Sequence, residues 1–541
     1  MDPSTTKSTI LSPSAIEELV NDGATLVIYG KAVLKLDSWL RYHPGGEKTI
    51  LHMVGRDATD QINAFHSVET QKSMERFQIG RIEGKWDNII PLFQRASDGK
   101  NILEIGQHGD RDEENSESSA CSRASSVFET NGLRSRAAGT ESPASSISAS
   151  SEDISKLATD ALAPESKGDV ERDEDAIVAS FRELVAQIEA QGLYDCNYWA
   201  YLTDVIRISI IFSIMLLLLH FKQYILSSIA LGTFWHQLVF IAHDSGHLGI
   251  THNYTIDTAI GLLLSSTLGG LSLSWWKTSH NVHHLATNSP SHDPDIQHLP
   301  FLAVTPSFFS SLYSTYYSRI MPYTPFASTM MRFQHHLYYP LLCFGRFNLY
   351  FLSWTHLYQN LGPKHPSMRW HRPLEILGQL TFWYWFGYLL LYHSLPTLSS
   401  RVLFVVISHA VTMPLHVQFT LSHFAMSAKA GERNESWVRQ QLRTTMDVDC
   451  PAWMDWFHGG LQFQAIHHLF PRLPRHNLRR ASEVVKVWAA ENGVRYEVYG
   501  FVECNGRVLG RLEEVGRQAG FLREATRSVV EKGEWLRGEW E

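Results

Sequence analysis

Cysteine is scarce in this chain. Five occur in 541 residues, at positions 121, 196, 343, 450 and 504, and none forms a CxxC pair. That spacing excludes a disulfide framework as the organising device. Residues 1–20 lack a basic stretch followed by an apolar run, so no cleavable signal peptide is expected. No flavin or nicotinamide fingerprint is present. An excess of positive charge is missing too: 47 Lys and Arg stand against 55 Asp and Glu, a net charge of -8. That balance argues against nonspecific nucleic-acid binding.

Histidine is plentiful by contrast, with 27 in the chain. Seven of them fall into three patterned groups. His243 and His247 form HxxxH, His280, His283 and His284 form HxxHH, and His467 and His468 follow Gln464 as QxxHH. On a helix, residues i, i+3 and i+4 share a face, so each group converges its rings. Clustered buried imidazoles are costly unless protons or metal occupy their nitrogens. Each group also adjoins a long apolar segment. The pattern predicts one metal site assembled from three distant pieces of chain. Neutral nitrogen ligands in this number suit iron, whereas zinc needs four ligands and offers no redox chemistry. Two irons can share these ligands and activate dioxygen.

The N-terminal section reads as a small α+β module over residues 8–90. Ser12-Pro13 starts a helix, and two short strands follow at 25–29 and 31–36. His43-Pro44-Gly45-Gly46 makes a tight bend, and His66 follows at 23 residues' distance. Two histidines at loop–helix junctions can clamp a planar cofactor from opposite faces. With Gly55-Arg56-Asp57-Ala58-Thr59 and Phe65-His66-Ser67, the segment from about 11 to 84 resembles a cytochrome b5 domain. The resemblance implies haem b with His43 and His66 as axial ligands. It also implies Leu40, Ile62 and Phe65 along the haem crevice. Two axial imidazoles suit electron transfer rather than oxygen chemistry.

From 95 to 175 the composition turns to Ser, Glu, Asp, Ala and Gly, which predicts a disordered acidic linker. A membrane-embedded domain is expected over 178–490. It opens with an amphipathic helix from Ile177 to Leu193, and its candidate spans are 205–221, 224–242, 337–354, 376–396 and 401–421. Residues 256–273 are apolar but rich in Gly and Ser, and leave spanning, re-entry and an interfacial position open. About four spans would put both termini on one side. The tail from 491 to 541 is expected to cap the site, after an amphipathic helix at 482–491 and a strand-like piece at 495–502. Arg472, Arg475, Arg479 and Arg480 favour a cytosolic position for the segment they start.

Together the boxes resemble the membrane-bound fatty-acyl desaturase and hydroxylase superfamily. The glutamine of the third box and the fused haem module narrow this to the front-end desaturases. The run Thr445–Gln462, with Leu469–Asn477, is similar to the fungal delta-8 sphingolipid desaturases. The resemblance implies a multidomain protein with an all-α polytopic membrane domain and a cytosolic diiron cap. It implies two non-haem iron ions held by the seven box histidines, with Gln464 and His423 as further candidate ligands. The implied reaction places a trans double bond at C8–C9 of the sphingoid base of a ceramide. O2 is consumed, and electrons arrive through the haem from a separate NADH-cytochrome b5 reductase. The implied location is the endoplasmic reticulum membrane, with haem domain and boxes cytosolic. The alternatives are a front-end desaturase of acyl-CoA or phospholipid chains, a hydroxylase, and a non-enzymatic haem scaffold. Asp244, Asn281, Asp447 and Asp449 stand near the boxes without an assigned role. His292, His298, His335, His336, His458 and His476 are expected at the surface or behind the ligands.

Overall fold

Alternation along two short strands sets the haem module's core. In strand β1, Leu26–Tyr29, Leu26 and Ile28 point to one face and Val27 to the other, as the two-residue period requires. Leu26 and Ile28 join Ile16, Val20, Val33 and Trp86 in one cluster, and Val27 joins Leu34, Ile50, Met53 and Ala58 in the second. Each fully buried aliphatic contributes about 1.5–3 kcal/mol. Strands β2, Ala32–Lys35, and β3, Gln78–Arg81, complete an antiparallel sheet of order β1-β2-β3. The helix Pro13–Asn21 is capped by Ser12, whose hydroxyl accepts from the Ala15 amide.

The computed structural model describes residues 8–95, 174–362, 364–429 and 431–532. The linker expected at 95–175 lies almost wholly outside them. The described residues belong to one compact unit.

Among the described residues, three helices are long and apolar enough to cross a membrane: Tyr198–His220, Tyr224–Gly246 and Leu398–Leu421. A fourth is counted only if Tyr254–Leu268 and Leu273–Leu285, bent by 113° against each other, form one broken span. The expectation of about four spans is therefore met only with that pair. Two of the expected spans, 337–354 and 376–396, are not among these helices. The 337–354 stretch breaks into Gln334–Leu342, with Pro340 inside it, and Gly345–Tyr358. The chain breaks at Cys343 and Phe344, after the helix has run through Pro340. The 376–396 stretch does form helix, from His371 to Phe382 and on as a π-helix to Ser394.

The first long helix turns Val205, Ile206, Ile210, Leu216 and Leu217 outward, the face that lipid would wet. The second is largely buried and forms the centre of the bundle. Below the boxes, Glu174–Ala190 buries Ile177, Phe181, Leu184 and Ile188 against Phe470 and Trp488. The strand Asp447–Asp449 pairs in parallel with Val498–Gly500. A 32-residue helix, Phe501–Lys532, then closes the fold. It buries Cys504, Val508, Leu512, Val515 and Ala519 against the helices at 325–342.

Candidate metal centre

Each box lies on or beside a helix end, as its spacing predicts. His243 stands in the last turn of Tyr224–Gly246, and His247 caps that helix. His280, His283 and His284 occupy the end of Leu273–Leu285. His467 and His468 lie on the short helix Gln464–Leu469. Gly246 lets the first two helices meet: a Cβ there would fall 2.1 Å from the Trp276 ring.

The structure gathers the histidines into two groups. His243, His247, His280 and His467 offer nitrogens within 4.8 Å of one another, and so do His283, His423 and His468. His284 sits between the groups. Its Nε2 lies 3.1 Å from His280 Nε2, and its ring stacks on His468 at 4.1 Å. His423 thus joins the second group. Gln464 is buried on the first turn of the third-box helix.

Three contacts orient these rings, and none was legible from spacing. His283 Nδ1 donates to Asp293, with the two carboxylate oxygens 2.9 and 3.0 Å away. His468 Nδ1 donates to Gln441 Oε1 at 2.8 Å. His423 Nδ1 faces the Thr444 carbonyl at 3.4 Å. In each case Nδ1 is engaged and Nε2 is left for another partner, the arrangement that metal-binding histidines use. Nitrogens of His247, His284, His467 and His468 are buried without any partner among the described residues. Burial, and then the neighbouring histidines, hold His467 and His468 well below the usual imidazole range. They are neutral at pH 7, the form that binds metal. Two clusters of buried imidazoles, with orphaned nitrogens on His247, His467 and His468 and on His284 between them, fit a pair of iron ions.

A buried charge network ties the first and third boxes together. Arg475 reaches both Asp244, beside His243, and Asp204 on the first long helix. Tyr201 donates to Asp244 at 2.6 Å, and His476 lies 3.0 Å from Asp204. Asp447 accepts from the Ala465 amide at 2.7 Å, capping the third-box helix.

His43 and His66, the expected haem ligands, face each other with ring centroids 6.1 Å apart. Two metal–nitrogen bonds of about 2 Å and the two half-rings fill that distance. His43 Nδ1 is held by the Gly46 carbonyl at 3.0 Å and His66 Nδ1 by that of Ile62 at 3.1 Å. Burial, and secondarily His43, pull His66 down to about 4. The donor set fits a bis-imidazole haem.

The same bend rests on the second box's helix. A Cβ on Gly45 would meet Asn281 Nδ2 at 3.0 Å, and one on Gly46, whose φ is +92°, would meet Thr278 Cγ2 at 2.9 Å. Arg182 holds Asp60 at 2.8 Å farther round the contact. Leu40 and Ile62 pack on the haem module's second cluster. Phe65, expected in the crevice, also reaches outward to the His284 and Trp437 rings.

The remaining histidines stay apart from both groups. His335 and His336 face each other at 3.9 Å. His458 contacts Gln418 and Cys450, His292 faces Thr315, and His298 packs near Phe424.

Two family models match this chain. Residues 220–500 match Fatty acid desaturase, and residues 12–83 match Cytochrome b5-like Heme/Steroid binding domain. The Delta 8-(E)-sphingolipid desaturase of Emericella nidulans is 47% identical, with 98% of each chain covered. That of Kluyveromyces lactis is 43% identical over 96% of this chain and 95% of its own. Delta(8)-fatty-acid desaturase 2 of Arabidopsis thaliana is 32% identical over 94% and 92%. With its three boxes and its haem module both matched, the chain belongs to the fatty acid desaturase family, in the cytochrome b5-fused group that contains the fungal Delta 8-(E)-sphingolipid desaturases.

Proposed function

We propose that this chain desaturates the sphingoid long-chain base of ceramides, placing a trans double bond at C8–C9. The observation that carries the reading is the pair of histidine groups beneath a haem module, in a chain 47% identical to a Delta 8-(E)-sphingolipid desaturase. The iron pair supplies the O2-derived oxidant that no side chain can provide. O2 takes two hydrogens from the lipid, two electrons from the haem and two protons, and leaves as two waters.

The protein's own part is positioning. His243, His247, His280, His283, His284, His467 and His468 are the ligands in this reading, with His423 as an eighth. Gln464 stands by to bind metal or a metal-bound water. Asp293 and Gln441 fix the rings of His283 and His468. His43 and His66 hold the haem, and Phe65 carries the contact from that module to His284. The module boundaries follow as 8–90 for the haem domain, 95–175 for the linker, 178–490 for the membrane domain and 491–541 for the tail.

NADH-cytochrome b5 reductase is the proposed electron source. The proposed location is the endoplasmic reticulum membrane, with haem domain and boxes on the cytosolic side. What supports this orientation is that the haem module packs directly on the second box, so the two share one side.

Lipid profiling in yeast lacking this activity tests the reading. New C8-unsaturated long-chain base in extracted ceramide is the expected result. New polyunsaturated acyl chains with unchanged bases would overturn it in favour of a front-end acyl desaturase. A product heavier by one oxygen, as sole product, would make the enzyme a hydroxylase.

A further inference from the structure

Beside the metal groups lies a small cavity with one cationic wall. Ser245 and Gly246, between the two histidines of the first box, line one side, and Ser274 and Lys277 of the second box's helix line another. His371 and Glu375 close it from the helix His371–Phe382, and Pro44 of the haem module forms a further edge. Leu262 and Leu273 give it an apolar end.

Two of its polar groups lack partners. Lys277 makes no hydrogen bond or ion pair among the described residues, and its ammonium lies over the Tyr254 ring at 5.2 Å. His371 is 5% exposed, and its Nε2 is buried without a partner. Tyr254 stacks on His371 at 5.5 Å, so the two donors share one wall. Glu375 is occupied: it accepts from Ser272 Oγ at 2.7 Å and the Ser274 amide at 2.9 Å, and from Ser274 Oγ. An unpaired buried polar group costs about 1–3 kcal/mol, a cost that a ligand's hydroxyl or carbonyl would remove. Residues 262–268 run as a π-helix along the apolar end, a distortion frequent at functional sites.

We infer that this cavity is the subsite for the polar head of the sphingoid base, with Lys277 and His371 donating to its hydroxyl and amide oxygens. This rests on the proposed function. In such a base the hydroxyl-bearing carbons stand only a few bonds from C8. The head must therefore bind within about two helical turns, roughly 11 Å, of the metal ligands. Lys277 precedes His280 by less than one turn, which meets that limit. One lysine and one carboxylate make the lining neutral in sum, which favours an uncharged head over a phosphate or carboxylate.

The test uses the full chain with haem and iron in lipid nanodiscs. Equilibrium binding and turnover are compared for dihydroceramide and for 1-deoxydihydroceramide, which lacks one head hydroxyl. The wild type is expected to favour dihydroceramide by about tenfold or more in both Kd and KM, because a site built to bond a hydroxyl rejects its absence. In Lys277→Met and His371→Leu that ratio should collapse towards one, while Lys277→Arg keeps most of it. Haem absorbance and iron content, read on the same samples, report folding. An unchanged ratio in both variants overturns the subsite. So does a Lys277→Met enzyme whose haem midpoint potential shifts while the ratio stays, since Lys277 would then serve the haem. Selective loss of an anionic phospholipid instead of dihydroceramide overturns it as well. Lys277-dependent binding of dihydroceramide that is never desaturated would uphold the subsite and defeat the proposed reaction alone.

Discussion

The ring of Phe65 meets the ring of His284 edge-on, with centroids 5.7 Å apart and planes at 88°. Phe65 immediately precedes His66, the proposed haem ligand, and His284 stands between the two histidine groups. One aromatic side chain therefore links the two redox sites. Phe65→Ala should slow reoxidation of the haem under O2 and substrate by about tenfold to a hundredfold, the cost typical of losing a positioned contact. Phe65→Trp should keep most of the rate. Stopped-flow absorbance of the reduced haem reads this directly; an unchanged rate in the alanine variant would remove Phe65 from the path.

Asp293 and Gln441 hold the rings of His283 and His468 through Nδ1, away from the proposed metal-binding nitrogens. Removing such partners costs about 10–100-fold in metal affinity or activity. Asp293→Asn and Gln441→Leu should each lower iron occupancy to that degree, measured by metal analysis of membranes with equal protein. Gln441→Glu retains an acceptor and should lose less. Full iron in both damaging variants would mean that the rings are held by packing alone.

The box histidines were legible because helical spacing maps directly onto a shared face. The pairings behind them were not. Asp293 lies ten residues beyond His283, and Gln441 lies 27 before His468, and no periodicity connects residues that only tertiary folding brings together. The closing helix is a different case. Cys504, Val508, Leu512, Val515 and Ala519 follow a helical repeat, a signal readable in the sequence but masked by the Gly and Arg between them. The break at Cys343 and Phe344 within 334–358 is not visible in the sequence, because total apolarity runs on across it. The seat of the haem bend on Asn281 and Thr278 depends on two modules meeting, which one sequence cannot show.

Haem loading and iron loading should separate. His66→Ala leaves His43 without its opposite ligand and should abolish the bis-imidazole spectrum. The box histidines come from other elements, so iron content should stay near wild type. Product should fall sharply and recover in part when free cytochrome b5 is added. A normal haem spectrum in that variant would refute the axial assignment.

Asp447 makes the third box pH-sensitive. Burial pushes its carboxyl up to about 7, against the hydrogen bonds from Tyr496 and the Ala465 amide that draw it down. The folded state thus holds this proton more tightly than the unfolded chain, where a carboxyl titrates near about 4. By linkage, its contribution to stability is complete below about pH 4 and is lost as pH rises through about 7. The loss is at most about 1.4 kcal/mol per pH unit within that window. Asp447→Asn cannot ionise and keeps an acceptor for the Ala465 amide. Its unfolding midpoint relative to wild type should therefore rise between pH 5 and pH 8, two values inside or just above the window that begins near about 4. A constant difference across that range would show that Asp447 does not titrate there.

The ligands themselves give the sharpest test. In the proposed centre each of His243, His247, His280, His283, His284, His467 and His468 supplies one nitrogen at a position fixed by its helix. A neighbouring histidine has no freedom to replace it, since metal sites tolerate little displacement of the donor. Alanine at any of the seven should therefore lower iron content and abolish desaturated product. His423 should behave as an eighth, because its nitrogen lies with those of His283 and His468. Gln464 should differ: His at that position keeps a donor and part of the activity, while Ala or Leu loses nearly all of it. His335 and His336 pair with each other away from both groups, and alanine there should be mild. Iron and product measured on the same membranes decide between these outcomes. Wild-type iron and activity after His283→Ala, at equal protein level, would take the second box out of the metal centre.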